Sequence, residues 1–446
     1  PMWQDGGLFT PDRIVPDATV AILGQNPGEN EERGRRITQY DGPGRYTTTE
    51  TEPQPFTGPT GWAMEHQLMP EAGLQRDDVS YMNALRCRWR GGNTLPPAKI
   101  LKEALAHCRQ YDALPDSTML VVATGGPAMQ AATGCTGPVG DWRGYMLPWA
   151  PVWPLEAPRP PARDIYTPTQ AERRVFVTYH VAFIAEAPWL RPVAMRDWQK
   201  VSQILKGAWP KPLPMMLSYP PPRWPLKCSW DTEFNDDFMF RYSMAWDSPS
   251  GSLVHVVERA DSYGNPPKVE PGSVIIMQNA EADLSFMEQI LGKVDVRVED
   301  TMYAHSVLWS DLDHDLNFGG SLYASINRWK HLVTSNPRVY SAGDAVGTLD
   351  WWKGMEAEFQ RDPRSQWVYQ HCLLPQLQVI RKARAKGIKV NHARIGPAFK
   401  ELEHVMTVER LKAQAWAGYP INLDSPPQVA RWLYDIEDIG ARKKGR

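Results

Sequence analysis

The sequence predicts an α/β chain: two α/β domains in series, followed by C-terminal helices. Three observations carry that reading. Before residue 206, four short apolar β runs alternate with helical patterns, which indicates a mainly parallel sheet. Residues 207–226 are rich in proline, including Pro220-Pro221-Pro222, and read as an extended, semi-rigid connector between domains. From Lys227 a second set of apolar strands begins, and from 365 onward the pattern is helical. The expected divisions are 1–206, 207–226, 227–364 and 365–446.

Taken in order, Ala18 to Leu23 is a short strand running into Gly24-Gln25-Asn26-Pro27-Gly28. Such a turn sits at the carboxyl edge of a sheet, where α/β folds bind ligands. Pro55-Phe56-Thr57-Gly58 leads into an amphipathic helix ending near Gly73. Further β runs lie within Val79–Arg88, Leu120–Met129 and Arg174–His180. Leu147 to Gln170 carries Pro148, Pro151, Pro154, Pro158, Pro160 and Pro161, too many for a helix or a central strand, and is expected as a surface excursion. Arg191 to Leu205 reads as the helix that closes the first domain. Trp209 and Trp224 bracket the connector and are expected to pack against a domain.

In the second domain, Lys227 to Phe234 reads as a strand. Asp231 and Glu233 then share one face, because side chains two apart on a strand point the same way. The apolar run Ser273 to Met277 ends in Gln278-Asn279-Ala280-Glu281-Ala282-Asp283, and Tyr340-Ser341-Ala342-Gly343-Asp344 opens a later helix. Four carboxylates so placed are the hard-oxygen set that two divalent cations, Mg2+ or Mn2+, require when they clamp an in-line phosphodiester displacement. Downstream, Ser365–Lys386 and Ala393–Ala417 are long helical patterns, the first stopped by Gly387.

The formal net charge of −2 means that any anionic partner is met by local patches rather than by overall basicity. No run of eighteen apolar residues and no signal peptide is visible, so the chain is expected to be soluble, without membrane contact, and intracellular, in a cytoplasm of bacterial or bacteriophage type. Five cysteines do not suggest a disulfide framework. Cys135, Cys228 and Cys372 are most simply core residues. The first residue is Pro1, so residues upstream are expected. The end, Ala441 to Arg446, is basic and reads as a solvated tail.

The order Asp-x-Glu, Asn-x-x-x-Asp, Tyr-x-x-x-Asp over about Trp224 to Trp352 resembles the 3'→5' exonuclease domain of family A DNA polymerases. Asp300-Thr301-Met302-Tyr303-Ala304, Asp313-His314-Asp315-Leu316 and Ser321-Leu322-Tyr323 look like that family's helical segment between its second and third motifs. The resemblance implies a ribonuclease H-like fold in which Asp231, Glu233, Asp283 and Asp344 hold the metals and Tyr340 orients the attacking water. Gly387-Ile388-Lys389-Val390-Asn391 and Asn422-Leu423-Asp424-Ser425-Pro426-Pro427-Gln428 resemble the start of the same family's thumb, with Asn391 replacing an acidic residue. The catalytic palm is not in the chain, which implies a polymerase palm in cis or as a separate subunit.

Over about Pro1 to Leu205 the motif order is similar to the uracil-DNA glycosylase superfamily, most closely its family 4. By that resemblance Phe56 stacks on a flipped uracil, Asn83 reads its edge, Gln25 lines the uracil site and His180 stabilises charge on the departing base. Gln25 and Asn26 depart from family 4. Gly-Gln-Asn-Pro-Gly is closer to the Gly-Ile-Asn-Pro-Gly of the mismatch-specific and thymine-DNA glycosylases, which implies that Asn26 positions the water. Val181 after His180, where proline is usual, is a second departure. The insertion Glu29–Gln54, rich in Arg, Gly and Thr, either contacts DNA or is mobile, and composition favours mobility. Cys87 and Cys108 match two of the four thiolates by which family 4 holds a [4Fe-4S] cluster, so the cluster is either completed by upstream residues or lost.

The combined expectation is a proofreading exonuclease fused to a domain that excises or recognises uracil in DNA, acting on a primer 3' end and a uracil-containing strand. The alternative is a non-catalytic, uracil-sensing accessory subunit of a split polymerase.

Overall fold

The structure is a computed structural model that describes residues 9–89, 95–108, 114–150, 173–258, 269–292 and 295–436, apart from positions 35, 43, 44, 51, 220, 222, 236 and 237. Within these, only the backbone is described at 36–50 and at 435. Pro1–Met2–Trp3, most of the Pro-rich excursion and the basic end lie outside the described residues. The chain divides into two compact units, 1–380 and 381–446.

Among the described residues the first unit holds two large sheets and a two-stranded hairpin. In the first, β1 (Val20–Gly24), β4 (Val79–Asn83), β5 (Leu120–Thr124) and β7 (Arg174–Thr178) run parallel in the order β4-β1-β5-β7, with β6 (Met146–Pro148) antiparallel at the edge of β7. Every residue of β1, β4 and β5 is buried, as a sheet covered on both faces requires, and this is why these strands read as continuous apolar runs. Alternate side chains feed two cores: Ile22, Tyr81 and Phe176 pack with Trp198 of the helix Arg191–Leu205, whereas Leu23, Val121 and Val177 pack on the other face. The insertion after β1 forms a short helix, Glu29–Arg33, and a hairpin of β2 (Arg36–Gly42) and β3 (Arg45–Glu50). Its threonines favour this strand pairing over an irregular loop.

The second sheet has the order β13 (Arg297–Asp300), β12 (Val274–Met277), β9 (Lys227–Phe234), β10 (Met239–Ser248), β11 (Gly251–Glu258), β8 (Met215–Leu217). β9, β10 and β11 are antiparallel neighbours, while β12 runs parallel to both β9 and β13. β8 is drawn from the Pro-rich stretch and pairs parallel with β11. Trp209, in the same stretch, lies edge-on to Phe176 of the first core and donates its Nε1–H to the Ala324 carbonyl at 3.0 Å. Trp224 stacks on Trp230 in the second core. Residues 207–226 therefore pack into both halves.

The halves also meet through a buried polar cluster. Arg143 Nη1 donates to Asp197 Oδ1 at 2.8 Å and its Nη2 to Ser321 Oγ. Lys200 Nζ donates to the Gly144 and Ser321 carbonyls at 3.2 and 2.8 Å. Gly144 (φ 74°) permits the approach, because a Cβ there would sit 2.5 Å from the Ser321 oxygen. Asn327 exchanges hydrogen bonds with the backbone of Met146 at 3.0 and 2.9 Å.

Toward the end of the chain, helices at Pro363–Val368 and Leu374–Lys386 are joined by a π turn, Tyr369–Leu373. Cys372 is exposed there, a correction to its expected core position, because Tyr369 takes the inward-facing place on that turn. In the second unit the helix His392–Ala417 is capped by Asn391, whose side chain accepts from Ala393 N at 3.2 Å, and ends at Gly418 in the left-handed region. Trp416 meets Trp432 edge-on. Among the described residues no helix is long and apolar enough to cross a membrane.

Arg143→Ala would leave the buried Asp197 carboxylate without its guanidinium. Urea unfolding at pH 7 is expected to show a loss of about 3–5 kcal/mol, and a loss below about 1 kcal/mol would contradict the reading of Arg143 and Asp197 as a buried ion pair.

Candidate active sites

The second sheet positions the acidic residues. Asp231 and Glu233 stand two apart on β9, opposite Ser243 and Arg241 of β10. The helix Pro337–Arg361 packs over these strands, fixed where the Ser229 and Ser243 hydroxyls donate to the Ala345 and Ser341 carbonyls at 2.6 and 2.7 Å. That helix brings in Asp344. One carboxylate oxygen each from Asp231, Glu233 and Asp344 lies within 4.8 Å of the others.

Each carboxylate is held by neighbours. Ser341 Oγ donates to Glu233 Oε1 at 2.9 Å. Asp344 Oδ1 accepts from Trp329 Nε1 at 2.6 Å and from Lys330 Nζ at 2.5 Å. The indole reaches this place because the helix face beneath it is glycine: a Cβ on Gly343 or Gly347 would come within 2.4 or 2.6 Å of the ring. Asp283, in the helix Ala280–Leu291, lies outside the close trio and is buried, its Oδ1 accepting from Thr232 N at 3.2 Å and from Thr232 Oγ1. Asp300 fixes the start of that helix by accepting from Ala280 N at 2.7 Å. Tyr340 is partly buried, with its hydroxyl 3.4 Å from Lys330 Nζ.

Burial, then the charges of Asp344, Asp283 and Glu233, raises the Asp231 carboxyl well above the usual range. Burial raises Asp283 to about 7 and, with the Asp344 charge, also raises Glu233. An all-carboxylate donor set whose members repel one another fits a hard divalent cation, which would relieve the repulsion. Sequence reasoning missed Trp329 and Lys330. Gly343-x-x-x-Gly347 is the one signal that something wide lies against the helix, and it does not say what.

In the first half, the strand ends of the parallel sheet bring Gln25, Asn83, Gly125 and His180 to one edge. A Cβ on Gly24 would sit 2.4 Å from Asn83 Oδ1 and 2.7 Å from the Phe56 ring, and one on Gly125 would sit 2.0 Å from Gln25 Nε2. Gln25, Gly125, Tyr179 and His180 line a cavity of about 770 Å3. His180 caps the helix Val181–Glu186, its Nδ1 accepting from Ala182 N at 3.2 Å. Burial pushes this imidazole down to about 4, so at neutral pH it is uncharged. That hydrogen bond assigns the proton to Nε2.

Phe56 and Asn83 are buried behind Gly24 rather than lining the cavity. Phe56 holds a left-handed backbone (φ 58°), rare for an aromatic residue, and its N–H donates to Glu31 Oε1 at 2.9 Å. Glu31, also missed from sequence, accepts from Gly28 N at 3.1 Å and ties the insertion to the Phe56 turn. Asn83 lies close enough to favour the Glu31 carboxylate, yet its Nδ2 is buried without a well-aligned hydrogen bond. The Asn26 amide folds back to its own turn, Nδ2 donating to the Pro27 carbonyl at 3.3 Å. Cys87 and Cys108 are half-buried neighbours whose thiols are raised by burial, that of Cys87 also by Cys108. Cys135 packs, partly buried, against the same apolar cluster as Cys87 and Cys108, and Cys228 is buried in another. Two thiolates are half of what a [4Fe-4S] cluster takes, so the described residues alone do not fit that group.

The fold and its sites thus define a two-sheet α/β protein with a strand-end cavity in one half and an acidic cation site in the other. The family model described as the uracil DNA glycosylase superfamily matches residues 11–199, so that segment is a domain of this superfamily. No curated protein matches the chain. Among solved structures, Brucella melitensis NrnC with bound Mg2+ is similar at TM-score 0.30 and 16% identity, covering 40% of this chain and 96% of that one. The catalytic core of RRP6 from Trypanosoma brucei gives 0.27 and 18%, over 34% of this chain and 46% of that one. The POL domain of Pol1 from M. smegmatis, in complex with DNA primer-template and dNTP, gives 0.37 and 15%, over 47% and 36%. At these scores the likenesses assign no chemistry to this chain.

Without divalent cations, the melting temperature is expected to fall as pH rises from about 5 to about 7.5. Above about pH 4 the unfolded carboxyls have released protons that folded Asp231, Glu233 and Asp283 still hold, so the unfolded state binds fewer protons and stability declines with pH. Millimolar Mg2+ or Mn2+ at pH 7.5 should restore the loss and a chelator remove it; a flat profile indifferent to metal would contradict the account. Lys330→Met removes a cation from Asp344, so calorimetry should find Mn2+ bound at least about fivefold more tightly. Unchanged or weaker binding would place Lys330 outside the cation site.

Proposed function

We propose that the chain is a DNA-processing enzyme with two active sites: a metal-dependent 3'→5' exonuclease centred on Asp231, Glu233, Asp283 and Asp344, and a uracil-recognising, uracil-excising cavity centred on His180. The observation that carries the first is the convergence of Asp231, Glu233 and Asp344 within 4.8 Å, beside Tyr340. Divalent cations bound there would supply a hydroxide at neutral pH and take up charge on the leaving oxygen. Asp231, Glu233 and Asp344 would hold them, with Asp283 buttressed on Thr232 as the fourth carboxylate. The Tyr340 hydroxyl orients the attacking water, and Lys330 fixes both that hydroxyl and Asp344. The substrate of this site is a primer 3' end, and its trimming serves a polymerase palm in cis or on another chain.

In the first half, the chemistry required is extrusion of a base and stabilisation of the charge that builds as it leaves. A neutral His180 with its proton on Nε2 is a hydrogen-bond donor for the departing base oxygen, at no cost of removing a proton first. Asn83, buried behind Gly24 at the same strand edge and beside the Glu31 carboxylate, would read the base edge once the turn at Gly24 admits it. Phe56, held in its turn by Glu31, supplies an aromatic face near the end of β1. A second reading, a domain that senses uracil without excising it, is favoured by Asn26, whose amide nitrogen is tied to the Pro27 carbonyl at 3.3 Å in its own turn.

With Mg2+ or Mn2+, a 3'-recessed labelled primer should shorten from its 3' end, and Asp231→Ala should slow this by about a thousandfold or more. Equal rates for both proteins would remove the exonuclease assignment. A uracil-containing single strand should acquire alkali-labile sites, with His180→Ala slower by about 100- to 1,000-fold. Tight, uracil-dependent binding with no such sites would establish the sensing reading instead.

A further inference from the structure

The cavity that holds Gln25 and His180 is not closed by its own half. Asp311, Leu312, Asp313 and Phe318, all from the half built on the second sheet, complete its wall, with Glu186 contributing from the first half. This shared wall is firmly seated. Leu312 and Phe318 are buried in an apolar cluster with Ala187, Leu190 and Val193 of the first half. Phe318 N donates to Asp315 Oδ1 at 2.9 Å, and the Arg143 guanidinium lies 5.0 Å from the Phe318 ring centroid and 5.6 Å from that of Tyr179.

Between these anchors, Asp311 and Asp313 are exposed. Asp313 lines the cavity together with Tyr179 and is near enough for its charge to act on that hydroxyl. The interior is amide, imidazole and aromatic, whereas this side of the rim carries carboxylates. Such a site separates the parts of a nucleotide by charge. An uncharged, planar base is accepted, while a phosphate within a Debye length of about 10 Å is pushed away.

We propose that the segment Trp309–Asp315 is a specificity wall for the first half's cavity: Asp311 and Asp313 hold the phosphates of a bound strand off this rim, so that the base enters with its backbone on the other side of the mouth. The proposal rests on the reading of the cavity as a uracil site. It makes the second half a contributor to how a strand is seated at the cavity as well as a neighbour.

The test uses the full chain and two labelled single-stranded 11-mers, one with a central uracil and one with thymine, their binding followed by fluorescence anisotropy at 50 and 500 mM KCl. Asp311→Asn/Asp313→Asn alters exposed side chains only. It should bind both strands about three- to tenfold more tightly than wild type at 50 mM, with the gain shrinking at 500 mM. Glu401→Gln/Glu409→Gln, exposed in the second unit, changes net charge equally and should bind as wild type does. If the Asp311/Asp313 variant matches wild type or the control pair, the wall is overturned. If wild type fails to prefer uracil but the variant still gains, the rim assignment stands and the uracil reading falls.

Discussion

The second half of this protein depends on the enforced proximity of like charges. Asp231, Glu233 and Asp344 converge within 4.8 Å, and burial strengthens the repulsion among them. Left to themselves such groups would separate or take up protons. They are held because the framework fixes each one: β9 sets the spacing of Asp231 and Glu233, Ser341 holds Glu233, and Trp329 with Lys330 holds Asp344. Thr232, between the two strand acids, turns the other way and secures Asp283. The stability of the site and its affinity for cations are therefore opposite sides of one electrostatic fact. What the fold loses by gathering the carboxylates, a bound cation returns.

The two halves are not independent modules. Trp209 is shared between the first core and Ala324, Arg143 and Lys200 are buried against Ser321, and the Pro-rich stretch supplies an edge strand to the second sheet. Separating the halves would take the Arg143 guanidinium from the Ser321 hydroxyl and the Lys200 ammonium from the Ser321 carbonyl. The strand-end cavity and the acidic cluster consequently keep a fixed relation within residues 1–380.

Much of this was legible in the chain. The buried parallel strands announce themselves as apolar runs, and strand periodicity alone places Asp231 and Glu233 together. The Gly24 turn, the Gly125 turn and His180 are placed by the rule that α/β sheets present ligands at their carboxyl edge. Other features left no readable mark. Lys330 and Asp344 meet because the short 3-10 turn Lys330–Leu332 lies against the helix, and Glu31 reaches Phe56 across twenty-five residues. The insertion's Arg and Gly suggested mobility, yet its backbone pairs as a local hairpin, for which its threonines are the compositional signal. Exposure of Cys372 depended likewise on which residue of a π turn faces inward.

The most direct measurement is anomalous scattering from crystals of the protein soaked in Mn2+. The account predicts a peak bonded to oxygens of Asp231, Glu233 and Asp344, absent from crystals of Asp231→Ala. No peak at that position under saturating Mn2+, with the Lys330–Asp344 ion pair intact, would contradict it.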